Sequence, residues 1–297
     1  MAVTPGGFSA QWLALREPFD AAARQRAWSG LAAATRWTRP DHLPSDRTLS
    51  IADLACGTGS NLRFLAPRLG GTQHWRVVDH DASLLEALPR MTEHWANRHG
   101  YGVTARGSTV RIEGPTFRAD VEALRIDLVN DLARVPFTDA QLVTASALLD
   151  LVSKQWLAQL VAHSRAAGAD VYCALTYNGR ITWRPSDDLD DVVLQAFNRH
   201  QQTDKGFGPA LGPSAGDEAI MLLRGAGYRV ISANSDWRIE SRDVALRRSL
   251  IEDWAEAAAS VYPQRRAGIE GWRRRRCNAH GGAEVEIGHV EIVASAI

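Results

Sequence analysis

The stretch Ile51–Leu65, IADLACGTGSNLRFL, followed by WRVVDHD at Trp75–Asp81, decides how this chain folds. A short apolar run, Ile51 to Ala55, ends in Cys56-Gly57-Thr58-Gly59, and a helical pattern begins at once. A second apolar run closes on an acidic residue, Asp79. A strand, a glycine turn, a helix and a second strand ending in a carboxylate make up a nucleoside-binding unit. The glycines let backbone approach a ligand, and one carboxylate accepts two ribose hydroxyls.

Two residues bear on which nucleoside. A dinucleotide fingerprint needs a third glycine at position 62, where helix and strand pack around a pyrophosphate. Leu62 stands there, and Asp53 lies near the strand end. A carboxylate there repels a pyrophosphate but suits a ligand carrying an ammonium and a sulfonium. Cys56 reads as a small packing residue rather than a nucleophile.

Outward from this unit the chain alternates. Strands are expected at Leu49–Ala55, Trp75–Asp79, Ala123–Leu128, Gln141–Ser146 and Val171–Tyr177, with helices at Asn61–Leu69, Ser83–His99 and Lys154–Ala167. A short hairpin, Thr109–Ile112 with Thr116–Ala119, precedes the third strand. Such alternation predicts an α/β fold, a doubly wound, mostly parallel sheet of the seven-stranded type with helices on both faces. Four segments follow: 1–45, an N-terminal helical extension; 46–177, the Rossmann-like core; 178–214, an inserted helical cap; and 215–297, the remainder of the same domain. In the last, helices are expected at Ala215–Gly225, Asp243–Val261 and Gly271–His280, and strands at Tyr228–Ile239 and Val285–Ser295. The segment Pro40–Asp46 reads as a linker.

Composition excludes some classes. The 297 residues are 45% hydrophobic and 23% charged, as in an ordinary globular protein. Lys plus Arg equals Asp plus Glu, 34 each, so no global positive field draws a nucleic acid. Arg273–Arg276 point all round a helix rather than along one stripe, and read as a solvated helix. No apolar run spans a bilayer, and the first eighteen residues lack a signal-peptide pattern. Three cysteines, Cys56, Cys173 and Cys277, cannot all pair. The expectation is a cytoplasmic protein, monomer or homodimer, with no nucleic acid, membrane or metal partner.

The residues quoted resemble the first motif of the class I S-adenosylmethionine-dependent methyltransferases, D-x-x-C-G-x-G. The likeness runs through Asp79, Asn130-Asp131-Leu132 and Val135–Ser153, about Leu49–Tyr177 in all. It implies S-adenosylmethionine as cofactor, S-adenosylhomocysteine as product, and a small-molecule substrate with an oxygen or nitrogen nucleophile. An RNA or protein acceptor, or a non-catalytic cofactor-binding scaffold, are the alternatives. No N-P-P-Y-type tetrapeptide follows the fourth strand.

The resemblance assigns Asp53, Ala55, Gly57 and Gly59 to the methionyl end, Asp79 to the ribose, with Asp81 as its rival, and His80 to the adenine flank. Asp131 and Leu132 fall where the family contacts adenine, although Asp131 also reads as a helix cap. Ser146, with Ala147 and Leu148, would line the channel at the methyl group. Asp150 reads equally as a base or a cap.

Tyr177 ends the fifth strand, on the rim where open sheets bind ligands. His200 is the leading general-base candidate because an unperturbed imidazole titrates near neutrality. Trp183, Arg199 and Lys205 supply substrate contacts if 178–214 covers the substrate, and Trp237 is a second candidate for stacking. Arg16 and Asp20 reach the ligand if the first helix is a lid, and do not if it simply docks.

Overall fold

The computed structural model describes residues 8–33, 35, 37, 48–106, 109–279 and 283–296. The expected linker, the 45/46 boundary, the first seven residues and His280 lie outside them.

The chain opens with α1 (Ala10–Ala32), capped by the Ser9 hydroxyl on the Trp12 N–H at 3.1 Å. It is one helix with Pro18 inside, where the sequence left open one or two. The core follows as β1 (Thr48–Leu54), α2 (Ser60–Leu69), β2 (Gly71–Asp79) and α3 (Ala82–His99). Then come β3 (Gly102–Arg106), β4 (Thr109–Glu113), β5 (Phe117–Arg125), β6 (Leu142–Ser146) and α4 (Lys154–Ala166). Next are β7 (Asp170–Arg184), α5 (Asp190–Gln201), α6 (Ala215–Gly225), β8 (Tyr228–Asn234) and β9 (Trp237–Ile239). The series ends with α7 (Val244–Val261), α8 (Arg266–Asn278) and β10 (Glu284–Ala296).

All ten strands form one sheet, ordered β3-β4-β5-β2-β1-β6-β7-β10-β8, with β9 beside β10. From β5 to β7 the strands are parallel; β10 runs against both β7 and β8. The sheet is α/β and doubly wound as expected, and larger than seven strands because β3 and β4 extend one edge and the short β9 adds to β10. The expected hairpin and third strand are differently divided. β4 pairs antiparallel with β5, and β5 itself continues to Arg125 as the partner of β2. Ala123–Leu128 is therefore the end of an existing strand and the loop beyond it. The fifth strand also runs further than expected, to Arg184, paired with β10 along its length. The boundary drawn after Tyr177 falls inside it.

Alternate residues of β1 face opposite sides. Leu49 and Ile51 join an apolar cluster with α1, α2, α3, α5, α7 and α8, and Ala52 and Leu54 join another with α4 and α6. Leu62, fully buried in α2, belongs to the first, and such a leucine contributes about 2 kcal/mol. A charged cluster lies under α1. Arg24 reaches Tyr172 on β7 (3.3 Å) and Glu291 on β10 (3.8 Å), Tyr172 donates to Glu291, and all three are buried. No helix among the described residues is long and apolar enough to cross a membrane.

Candidate active site

At the carboxyl ends of the strands the order reverses between β1 and β6, the position where open sheets bind ligands. The backbone is strained here. Ala55 follows β1 with φ 51°, Ala147 follows β6 with φ 54°, and Leu175 within β7 has φ 52°. Non-glycine residues in this region cluster at functional sites.

A cleft of about 430 Å³ opens between these strand ends and α1. Its floor is the glycine turn. The Gly59 N–H bonds the Cys56 carbonyl at 2.8 Å, and Gly59, at φ 86°, starts α2. Gly57, at φ 55°, is so close to α1 that a Cβ would sit 2.9 Å from Leu13 Cδ1. α1 is clamped there by Arg63, whose guanidinium binds Glu17 at 2.7 and 2.6 Å and the Thr58 carbonyl at 2.5 Å.

Asp79 ends β2 facing the cleft, 5% exposed. Its Oδ2 accepts the Gly57 N–H at 2.8 Å and its Oδ1 the Asp81 N–H at 3.0 Å. A carboxylate offers about four acceptor sites, so two remain for a ligand's hydroxyls. His80, largely exposed, flanks it, with Nδ1 3.4 Å from Asp79 Oδ1. Asp81, though in the cleft lining, caps α3 through the Ser83 N–H (2.8 Å) and hydroxyl (2.7 Å), bonds that lower its pKa.

Asp53 does not line the cleft. It lies beneath, its Oδ1 accepting Asn61 Nδ2 at 2.6 Å, and burial raises its pKa to about 7. Asn61, also bonded to Thr144 (3.0 Å), does line the cleft, and its Oδ1 is buried with no partner among the described residues. Burial likewise lifts the Cys56 thiol well above its usual range, away from a nucleophilic thiolate.

Past β5 the cleft wall is Asp127-Leu128-Val129-Asn130 rather than Asp131 and Leu132. Asp131 points away to pair with Arg134 at 3.0 Å, and Leu132 is packed in the core. The reason is the earlier end of β5, at Arg125 rather than Leu128, which turns the chain three residues sooner. Asp127 organises the loop by accepting the Val129 N–H (2.9 Å) and Asn130 Nδ2 (2.7 Å), which lowers its pKa. Val129 is 42% exposed, an apolar rim. Ser146, Ala147 and Leu148 line the far side, with Lys205, Gly206 and Phe207 from the segment after α5. Among the described residues the only other cation in the lining is Arg16, so these two stand against four carboxylates, Asp20, Asp79, Asp81 and Asp127.

Behind the cleft lies an inner chamber of about 40 Å³, sharing Arg16, Ala147 and Leu151 with it. Asp150 is buried in its wall, and burial raises its pKa to about 6. Arg16, 5% exposed, spends Nε and Nη2 on Asp20 (3.0 and 3.1 Å) and lies over the Trp237 ring, whose Nε1 also donates to Asp20 (3.0 Å). Tyr177 donates its hydroxyl to Asn198 Oδ1 at 2.7 Å, and burial keeps it protonated, so it cannot serve as a base. Gln201 and His289, neither of which the sequence suggested, complete the polar wall. Burial holds His289 neutral, with its pKa down at about 3, and its Nδ1 meets the Ile287 carbonyl at 3.1 Å.

The other expected substrate residues lie elsewhere. His200 lines neither cavity; burial and neighbouring Lys205, 3.4 Å away, push its pKa to about 4. It is its neighbour Gln201 that the turn of α5 presents inward. Arg199 is on the exposed side of that helix. Trp183 is core, set edge-on to Trp254 and Trp272, with Arg276 over its face at 4.4 Å. Arg276 is itself buried and paired with Asp190, and Arg275 binds Asp187, so this basic run is partly structural rather than solvated.

No protein-family model matches the chain, and no curated protein matches it. Among solved structures, a cyclopropane-fatty-acyl-phospholipid synthase-like protein from Lactobacillus casei is similar at 14% identity over 99% of this chain and 96% of that one, TM-score 0.48. A geranyl diphosphate C-methyltransferase from Streptomyces coelicolor is 13% identical over 92% and 82%, TM-score 0.44. An O-methyltransferase family protein from Burkholderia thailandensis is 15% identical over 94% and 61%, TM-score 0.39. Similarities this low decide nothing about ligand or reaction, which rest on the cleft's own atoms.

Proposed function

We propose that this chain is an S-adenosylmethionine-dependent methyltransferase acting on a small molecule. The observation that carries the reading is Asp79, a buried carboxylate that anchors the glycine turn through Gly57 while still lining the cleft. Three further features fit a sulfonium nucleoside. The cleft is rich in carboxylates, which suits a cationic ligand and opposes a pyrophosphate. The orphaned Asn61 Oδ1 is an acceptor for an α-ammonium group. The apolar rim of Leu84, Leu128 and Val129 suits a flat purine.

In this reading Asp79 takes the ribose hydroxyls, Asp127–Asn130 border the base, and Ala55–Gly57 with Asn61 hold the methionyl end. Bound there, the cofactor supplies a methyl group on a positively charged sulfur. The chain's own work is positioning and exclusion of water. Leu13 and Arg16 of α1 roof the cleft, and Ser146–Leu148 separate it from the inner chamber, where the acceptor belongs. The chamber's small volume favours a small acceptor over an RNA or protein chain. Three free cysteines, two of them buried, support a reducing, cytoplasmic setting.

Calorimetric titration with S-adenosylhomocysteine tests the reading. Binding in the micromolar range is expected; a folded sample that gives no binding heat at any accessible concentration overturns it.

A further inference from the structure

The inner chamber's chemistry is lopsided. Several of its hydrogen-bond donors are engaged: Arg16 Nε and Nη2 and Trp237 Nε1 on Asp20, the Tyr177 hydroxyl on Asn198, and the His289 Nδ1 at the Ile287 carbonyl. Its acceptors keep free lone pairs, although Asp150 already takes its own and the Tyr177 backbone N–H. Gln201 Oε1 is buried with no partner, and no cation lies within ion-pair distance of the buried Asp150 carboxylate among the described residues. The remaining walls are the rings of Tyr177, Phe197, Trp237 and Trp254 and the aliphatic side chains of Leu151, Leu175, Leu250 and Ile287, with Phe197 edge-on to Tyr177 at 5.7 Å and to Trp254 at 6.0 Å. Arg16 brings a positive charge to this wall that still pulls the Asp150 pKa down, but its guanidinium is paired with Asp20, which leaves Asp150 without an ion-pair partner among the described residues.

Open acceptors, a lone carboxylate and aromatic faces are the surroundings an ammonium group prefers. An alcohol or thiol brings a single donor and no charge. From this chamber, and resting on the cofactor reading above for its role as acceptor site, we infer that the acceptor is a small aliphatic amine, bound through Asp150 and Gln201 as its ammonium.

Asp150 then has a second task. Burial raises a carboxylate's pKa and lowers an ammonium's, so the neutral pair becomes accessible in the chamber. Asp150 takes the proton, and the freed nitrogen lone pair forms the new C–N bond as the C–S bond of the donor breaks, with the electron pair staying on sulfur. The positive charge passes from sulfur to nitrogen, so the product leaves as a secondary ammonium, and the proton taken earlier rests on Asp150 until solvent removes it. Size limits the class further. A site for one water needs roughly 10–15 Å³, so about 40 Å³ admits an amino group with one or two carbons.

Ethylamine and ethanol, three non-hydrogen atoms each, are the matched probes. With protein saturated by S-adenosylhomocysteine, each is titrated by tryptophan fluorescence against a sodium chloride control, since Trp237 and Trp254 line the chamber. Ethylammonium should bind about tenfold or more tightly than ethanol. Asp150→Asn, an isosteric change, should erase that preference while leaving S-adenosylhomocysteine affinity within about twofold, and Gln201→Leu should weaken ethylammonium alone. Methyl transfer to ethylamine, read by mass spectrometry, should exceed transfer to ethanol. Equal binding of the two probes, or a preference that survives Asp150→Asn, overturns the amine assignment while cofactor binding stands. Failure of S-adenosylhomocysteine to bind is the separate signature of a wrong cofactor reading, and removes the acceptor role with it.

Discussion

The Asp79 carboxylate and the Gly57 amide hold each other at 2.8 Å, so the end of β2 fixes the turn that leaves β1. One side chain thus shapes the cleft floor and faces the ligand. Hydrogen bonds to a charged group contribute about 1.5–3 kcal/mol each, and about 1.4 kcal/mol is tenfold in affinity. Asp79→Ala should therefore weaken S-adenosylhomocysteine binding by tenfold or more in calorimetry. Unchanged affinity would remove Asp79 from the ligand's contacts.

Gly57 is constrained twice, by its left-handed backbone and by Leu13 above it. A left-handed alanine costs about 1–2 kcal/mol, and its Cβ would collide with Leu13. Gly57→Ala should lower both melting temperature and cofactor affinity. Adding Leu13→Ala should recover part of the lost affinity but not the backbone cost. A double variant that is no better than the single one refutes the contact.

The pH dependence of stability has a determinate sign at Asp53. Its folded pKa, about 7, lies above the usual aspartate value because burial disfavours the charge; Asn61 and Arg24 pull it down and Asp79 pushes it up. Between about pH 4 and 7 the folded protein holds a proton that the unfolded chain has lost. The stabilisation is thus complete below about pH 4 and is lost as pH rises through about 7. Asp53→Asn should flatten the fall in melting temperature between pH 5 and 8. Parallel slopes for the two proteins would contradict this.

Asp150 gives a kinetic counterpart. With His289 neutral and Tyr177 protonated around it, and Arg16 spent on Asp20, a base of pKa about 6 should give kcat/KM for amines an ascending limb near pH 6. Asp150→Asn should abolish that limb and cut the rate about 10²-fold or more. A limb that persists assigns it to another group.

Trp183 supplies a negative control. Trp183→Leu empties a ring-lined core position beside Trp254, Trp272 and Arg276 and should cost about 3 kcal/mol or more. Thermal melts should register that loss, while S-adenosylhomocysteine affinity stays level; a selective loss of affinity would return Trp183 to the site.

Legibility in the sequence followed distance along the chain. The glycine turn and Asp79 are local features, an apolar run broken by Gly57 and another closed by an acid. The loop after β5 offered two acids, Asp127 and Asp131, and choosing between them requires knowing where β5 ends. That end is set by pairing with β2 and β4, which no short window contains. The inner chamber was illegible for the same reason. Gln201 and His289 share a chamber with Asp150 only because α5 packs over β7 and β10 inserts beside it. His200 drew attention by its chemistry, yet on a helix one residue is a turn of about 100°, enough to exchange it for Gln201.

The buried cluster of Arg24, Tyr172 and Glu291 carries a consequence for the order of assembly. Arg24 precedes Glu291 by most of the chain, and until residue 291 has been made the carboxylate nearest to it in sequence that acts on it is Asp20, already paired with Arg16. Burying an uncompensated guanidinium is costly, so α1 cannot settle on the sheet while β10 is missing. The roof of the cleft, which Leu13 and Arg16 form, accordingly precedes the sheet along the chain yet is among the last parts to dock. A nascent chain carries the glycine turn and Asp79 long before it can enclose anything between them.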